Sequence, residues 1–161
     1  MATMHIDEVK TLAQSAHRDA KVREELFAEA LADVGRPSSL AAWVLTHLPQ
    51  ADNVHIDAHR EGLLQVALKT EDTSLRRISL ALLERLEWED ADVRLLDFSL
   101  DHMMRPDEPY GVRSLCMKLA YEQCRHYPEL KEELRQALLL IEPDELGAGV
   151  RHTRNKILKM L

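Results

Sequence analysis

The sequence predicts an all-α fold made of stacked helical pairs, and three observations support that prediction. Of the 161 residues, 45% are apolar but only 4% are aromatic, a balance that favours helices over a sheet. Apolar side chains recur at helical spacing along most of the chain. An apolar residue followed by an arginine also returns at nearly regular intervals. We therefore expect about nine helices, an N-terminal helix and then four pairs stacked in a short right-handed superhelix.

The stretch from Pro109 to Leu140 is the best-formed of these helical pairs. Its first helix carries two apolar stripes, formed by Val112, Leu115, Cys116, Leu119 and Ala120 and by Met117, Tyr121 and Cys124. A helix with two apolar faces needs neighbours on two sides. Pro128 falls in the first turn of the second helix, where its missing N–H has no intrahelical partner to lose.

The other helices are predicted from the same periodicity. They cover about residues 6–16, 20–34, 38–48, 58–69, 74–87, 93–103 and 148–160. Asp19 is the predicted N-cap of the second helix, and Gly35 and Pro37 are predicted to end it. Residues 49–56 form the longest irregular stretch, which we expect to be a mobile loop.

Three of the helices begin with the same two kinds of residue. Leu75-Arg76, Val112-Arg113 and Val150-Arg151 are separated by 37 and 38 residues, and Leu40 lies 35 residues before Leu75. A period of this length with two helices per unit indicates an αα-solenoid, because neither helix of a unit can bury both of its apolar faces alone.

On these residues the chain resembles the HEAT-like repeat family, whose second helices often begin with an apolar residue, an arginine and a small residue. The resemblance covers about residues 20–160, without the arginine in the first unit and with Arg154 in place of the small residue in the last. It implies a single HEAT-like domain over residues 1–161. In the stretches 127–135 (Tyr-Pro-Glu-Leu-Lys-Glu-Glu-Leu-Arg) and 154–161 (Arg-Asn-Lys-Ile-Leu-Lys-Met-Leu), the chain also resembles short bacterial HEAT-like proteins, some of which carry an adenylosuccinate-lyase label. The lyase's Ser-Ser-x-Met-Pro loop has no counterpart in this chain, since Ser38-Ser39 is followed by Leu40-Ala41.

The first candidate site is the arginine row, defined as Arg76, Arg113 and Arg151. Equivalent positions of a solenoid form a ladder, and an acidic pair precedes each arginine: Glu71-Asp72, Asp107-Glu108 and Asp144-Glu145. On one interpretation the acids cap the helices and pair with the arginines. On the other, the row binds an anionic ligand or an acidic peptide, with Tyr110 and Trp88 nearby.

Three further clusters are weaker candidates. Trp88 lies among Glu87, Glu89, Asp90 and Asp92, where it either anchors a basic partner segment or folds over the core. His55 and His59 have the spacing of two metal ligands, but two ligands are too few, and a solvated loop is favoured. The basic carboxyl end carries Arg151, His152, Arg154, Lys156 and Lys159, which either form a polar outer face or contact phosphate.

Charge and composition set the expected function class. The net charge of −7 disfavours a general nucleic-acid binder. Cys116 and Cys124, eight residues apart on one helix, are expected to be small buried hydrophobes. No signal-peptide or membrane-spanning run is found, so we expect a cytoplasmic protein. No catalytic motif, cofactor motif or metal-ligand set is recognised. We expect a non-enzymatic scaffold that binds a protein or peptide, and the alternative is a nucleic-acid-binding protein related to alkylpurine DNA glycosylases.

Overall fold

The computed structural model describes residues 4–161, and every regular element in that range is a helix. The α-helices are α1 (Ile6–Arg18), α2 (Ala20–Leu31), α3 (Arg36–Leu45), α4 (Asn53–Ala58), α5 (Arg60–Lys69), α6 (Thr73–Glu84), α7 (Val93–His102), α8 (Tyr110–Cys124), α9 (Pro128–Leu140) and α10 (Ala148–Met160), with 3-10 turns at Gln50–Asp52 and Pro143–Glu145. No strand occurs among these residues, so the predicted all-α class is confirmed.

The chain divides after Leu86 into two compact units, and the second spans Glu87–Leu161. In the first unit, α2 packs against α3 and α5 packs against α6, which gives two helical pairs. The two pairs stack with first helix against first helix and second against second, because α2 contacts α5 and α3 contacts α6. This is the arrangement that the helical repeat predicts. The prediction of one domain over residues 1–161 stays a prediction.

In the second unit, α8 lies at the centre and contacts α7, α9 and α10. Its two apolar stripes explain that position. Val112, Cys116, Leu119 and Ala120 of the first stripe and Met117 and Cys124 of the second are at most 1% exposed, so neighbouring helices cover most of both stripes. The helix with two apolar faces therefore has neighbours on more than one side, as its sequence predicts.

Aspartates determine where three of the helices begin. Asp19 accepts a hydrogen bond from the main-chain N–H of Lys21 at the start of α2, as predicted. Asp72 caps α6 and Asp92 caps α7 in the same way, each through two N–H groups of the first turn. Each carboxylate also lies at the positive end of the helix dipole, which stabilises the helix start further.

The end of α2 was predicted three residues too late. The helix ends at Leu31, and Val34, the last residue of the predicted helix, is 58% exposed. The backbone explains the difference, because Asp33 has φ 51° and Gly35 has φ 83°, and neither value is compatible with a continuing α-helix. Gly35 is the N-cap of α3 instead.

The prediction of a loop at residues 49–56 was wrong. This segment contains the 3-10 turn Gln50–Asp52 and most of α4. Asn53 holds it in place, since its Nδ2 donates to the Arg85 carbonyl at 3.2 Å and its Oδ1 accepts from Arg85 Nε at 2.9 Å. These contacts join residues 32 positions apart, so local sequence does not show them.

Candidate functional site

All three members of the arginine row bind main-chain carbonyls at the end of a preceding helix or turn. Arg76 Nη2 donates to the Thr70 carbonyl at 2.6 Å, and Thr70 is the C-cap of α5. Arg113 Nε donates to the carbonyl of Met103, the C-cap of α7, at 2.9 Å. Arg151 Nη2 donates at 3.1 Å to the carbonyl of Leu146, which follows the second 3-10 turn.

These contacts differ from the ones expected of the row. The last carbonyls of a helix lack intrahelical donors, so a guanidinium from the next helix satisfies them and links the two elements. The acids preceding the arginines were expected to cap the second helices, and at α6 Asp72 does so. At α8 and α10 the N-caps are Pro109 and Gly147, which make no side-chain cap.

Two further arginines have the same role, and sequence reasoning missed both. Arg23 Nη1 donates to the Ala16 carbonyl at 3.1 Å, and Arg154 Nε donates to the Leu138 carbonyl at 2.9 Å. Arg154, assigned from sequence to the basic carboxyl end, is buried, whereas His152, Lys156 and Lys159 are exposed. The signal was present in its spacing, because Arg154 shares the i, i+4, i+7 stripe of Val150 and Ile157.

Trp88 and its acidic neighbours form a structured corner. The indole is 4% exposed, which favours the interpretation that it folds over the core. Asp92 caps α7, and its hydrogen bonds to Arg94 lower the pKa of its carboxyl. Asp90 accepts a hydrogen bond from the hydroxyl of Tyr127, which lowers the pKa of Asp90 and raises the pKa of Tyr127.

The histidine pair lies in a helix and at its end, not in a solvated loop. His55 is in α4, with its Nε2 3.9 Å from Asp52 Oδ1, and His59 is the C-cap of that helix. His59 Nε2 lies 2.8 Å from Glu24 Oε2, and its ring stacks on Phe27 with centroids 4.1 Å apart. Among the described residues, no group of three or more His, Cys, Asp or Glu side chains is placed to hold a metal ion.

The structure brings Tyr110 and Arg113 together at the start of α8. They line a cavity of about 350 Å³, named the α8 cavity, together with Pro106, Glu108, Pro109 and Glu145. Arg113 is 3% exposed, and Tyr110 is 52% exposed. The cavity therefore combines a buried cation with an exposed aromatic ring, all within the second unit.

Tyr110 is held in position by contacts from the segment before α10. Its hydroxyl donates to the Glu145 carbonyl at 3.3 Å. Its ring lies close to Gly147, where a Cβ atom would come within 3.2 Å of two ring carbons. The absence of a side chain at Gly147 thus allows the ring to approach the backbone.

Glu108 is the second buried charged group of the cavity, at 7% exposure. Its Oε2 lies 2.5 Å from His102 Nδ1, so the two side chains are hydrogen-bonded. The His102 ring in turn stacks on Phe98, with centroids 3.8 Å apart. This chain of contacts fixes the turn that leads into α8.

No helix between residues 4 and 161 has both the length and the apolar character needed to span a lipid bilayer. In the comparison with known families, the HEAT repeat domain matches residues 1–161. No curated protein and no solved structure gave a significant match.

Proposed function

We propose, since the chain belongs to the HEAT repeat family, that this helical-repeat scaffold is non-enzymatic, cytoplasmic and binds a protein or peptide partner. In the second unit, the binding surface is centred on Tyr110 at the mouth of the α8 cavity, with Arg113 inside it and Arg151 on the adjoining helix. Arg76 is the member of the arginine row in the first unit. Arg76 and the buried Trp88 stay predicted contacts of the partner.

The observation that carries this proposal is an exposed tyrosine that is nevertheless fixed. Tyr110 is 52% exposed, but its hydroxyl bonds the Glu145 carbonyl and its ring lies against Gly147. A tyrosine that is already ordered loses little conformational entropy on binding, and tyrosine is enriched among residues that dominate interface energies. The adjoining cavity, at about 350 Å³, is large enough to accept one side chain of a partner.

The test is capture of a partner from an extract of the source organism, with the immobilised 161-residue chain as bait. We expect Tyr110→Ala to lose a specifically retained protein that the wild type captures. Leu140→Ala is the matched control, because Leu140 is also an exposed apolar residue of the second unit, at 75% exposure. If Tyr110→Ala and Leu140→Ala retain the same protein in the same amount, the Tyr110 surface is not the binding site.

The nucleic-acid alternative has a separate test. Phosphate-driven affinity is strongest at low salt, so a gel shift at low and moderate ionic strength is the sensitive assay. With a net charge of −7, we expect no retardation of duplex or single-stranded DNA at either salt concentration. Retardation at low salt that disappears as salt is added would favour the alternative.

A further inference from the structure

Arg113 is a buried cation whose hydrogen-bonding capacity is largely unused. Its exposed fraction is 3%, and its Nε donates to the Met103 carbonyl at 2.9 Å. Among the described residues, that is the one hydrogen bond its side chain makes, so both terminal Nη groups carry none. A guanidinium offers five N–H donors, so most donors of Arg113 make no hydrogen bond within the described chain.

The other deeply buried arginines of the described chain each bond through a terminal nitrogen, although Arg23 Nε is buried without a partner. Arg23 directs Nη1 at the Ala16 and His17 carbonyls. Arg154 bonds the Leu138 carbonyl through Nε and Asn155 Oδ1 through Nη1. Arg113 alone of the three has no Nη bond, and it lines the α8 cavity. Its side chain therefore borders a space that a ligand can enter.

Arg113 and the start of α8 supply the positive charge of the cavity, and Glu108 and Glu145 supply negative charge. Arg113 is the fourth residue of the fifteen-residue helix α8, whose N-cap Pro109 makes no side-chain cap, so the positive helix end adds to the guanidinium. Glu108 also lines the cavity, but its carboxylate accepts from His102 at 2.5 Å. Glu145 is exposed, and the contact it makes to Tyr110 is through its main-chain carbonyl.

We infer that the α8 cavity binds one carboxylate of the partner on the two Nη groups of Arg113, an inference that rests on the proposed function. A carboxylate is planar and monoanionic, and its two oxygens match two N–H groups of a guanidinium in parallel. A phosphate, with nearly two charges, would be repelled more strongly by Glu108 and Glu145. Tyr110 at the cavity mouth packs on the residue that carries the carboxylate, which comes from a Glu or Asp side chain or from a chain terminus.

The test is NMR of the arginine Nε–Hε signals in the full chain, with the Arg113 signal assigned from its absence in Arg113→Lys. Four probes are titrated: acetyl-Ala-Glu-Ala-amide, which has a side-chain carboxylate, acetyl-Ala-Ala-Ala with a free terminus, the neutral acetyl-Ala-Gln-Ala-amide, and inorganic phosphate. We expect a saturable shift of the Arg113 signal with one or both carboxylate peptides and none with the neutral peptide. Which peptide binds distinguishes a side-chain carboxylate from a terminal one.

Two variants complete the test. Arg113→Lys keeps the charge but loses the planar fork, so the dissociation constant for the carboxylate peptide, followed in this variant by the backbone amide signals of the cavity residues, should rise about tenfold. Arg105→Gln is the control, because Arg105 is an exposed arginine of the same unit that pairs with Asp101 at 2.6 Å. The affinity of this variant for the carboxylate peptide should equal that of the wild type.

Three outcomes overturn the inference: no saturable shift with either carboxylate peptide, a shift with phosphate only, or equal shifts with the neutral peptide. None of them decides the proposed function. Suppose that Tyr110→Ala loses partner capture and the Arg113 signal does not move. The Tyr110 surface would then stay the proposed binding site, and carboxylate binding by Arg113 would be rejected. A moved signal with capture unaffected by Tyr110→Ala would contradict the proposed function instead.

Discussion

Gly147 allows the ring of Tyr110 to lie against the start of α10, so adding one methyl group there should displace the ring. A Cβ at this position would lie 3.2 Å from the ring carbons Cδ2 and Cε2, a distance closer than ordinary van der Waals contact. The backbone itself accepts alanine, since Gly147 has φ −64° and ψ 161°. The effect of Gly147→Ala is therefore on the contact and the helix start, not on backbone strain.

The expected magnitude follows from three contributions to the free energy of unfolding. Restricting the unfolded chain stabilises the alanine variant by about 0.4–1 kcal/mol. Alanine is a poorer N-cap than glycine, which opposes that gain. Displacing a half-exposed ring and weakening its bond to the Glu145 carbonyl costs about 0.5–1 kcal/mol. We expect Gly147→Ala to lie between no change and a loss of about 1 kcal/mol.

A double-mutant cycle isolates the ring contact from the other contributions. The free energy of unfolding is measured by urea denaturation for the wild type, Gly147→Ala, Tyr110→Ala and the double variant. Because Tyr110→Ala removes the ring, Gly147→Ala should be less destabilising in that background by about 0.5 kcal/mol or more. Gly149→Ala is the control: a Cβ there meets nothing within 4 Å, so it should stabilise by roughly 0.5–1 kcal/mol. A coupling of zero would refute the proposed fixation of the ring.

Three further predictions concern the contacts that organise the helices. Asp72→Ala removes the N-cap of α6 and should lower the free energy of unfolding by about 1 kcal/mol. Arg154→Met removes one of two donors to the buried Leu138 carbonyl, which keeps the N–H of Ile141, and should lower it by about 1.5 kcal/mol. Tyr127→Phe removes the hydrogen bond to Asp90. The stability difference from wild type should be constant near neutral pH, shrink as acid protonates Asp90 below its ordinary pKa of 3.8, and shrink again as Tyr127 ionises above its ordinary pKa of 10.0.

Each of these predictions is checked by denaturant unfolding, and the first two have control variants. Glu71→Ala and Lys156→Met alter exposed residues beside Asp72 and Arg154, and each should change stability by less than about 0.5 kcal/mol. For Tyr127→Phe the signs follow from linkage. The lowered pKa of Asp90 contributes stability that acid removes, and the raised pKa of Tyr127 contributes stability that alkali removes. A difference that grows at either extreme of pH would contradict the assignment of that hydrogen bond.

The helices themselves were largely predictable from sequence because apolar periodicity is a local property. The last helix was expected at residues 148–160, and α10 spans Ala148–Met160. Asp19 as an N-cap and Pro128 in a first turn were also found as predicted. Periodicity failed where the structure depends on distant residues, as for α4, which contacts between Asn53 and Arg85 hold in place.

The candidate site was only partly predictable. The repeat identified Arg113 and the neighbouring Tyr110, and both line the same cavity. What the repeat does not show is which carbonyl each arginine binds, because Arg113 reaches ten residues back and Arg154 sixteen. Glu145, which completes the cavity, lies 35 residues from Tyr110 in sequence. Sequence also does not decide between an exposed and a buried Trp88, because both are compatible with a tryptophan in an acidic corner.

The central claim is that a partner segment docks on Tyr110 beside the α8 cavity, and site-specific photo-cross-linking tests it most directly. The photoreactive residue p-benzoylphenylalanine is placed at position 110 and, as the control, at the exposed Leu140 position. We predict that position 110 cross-links to a partner segment that carries an acidic residue or a chain terminus, and that position 140 does not. Equal cross-linking from both positions, or cross-linking from position 140 alone, would contradict the account.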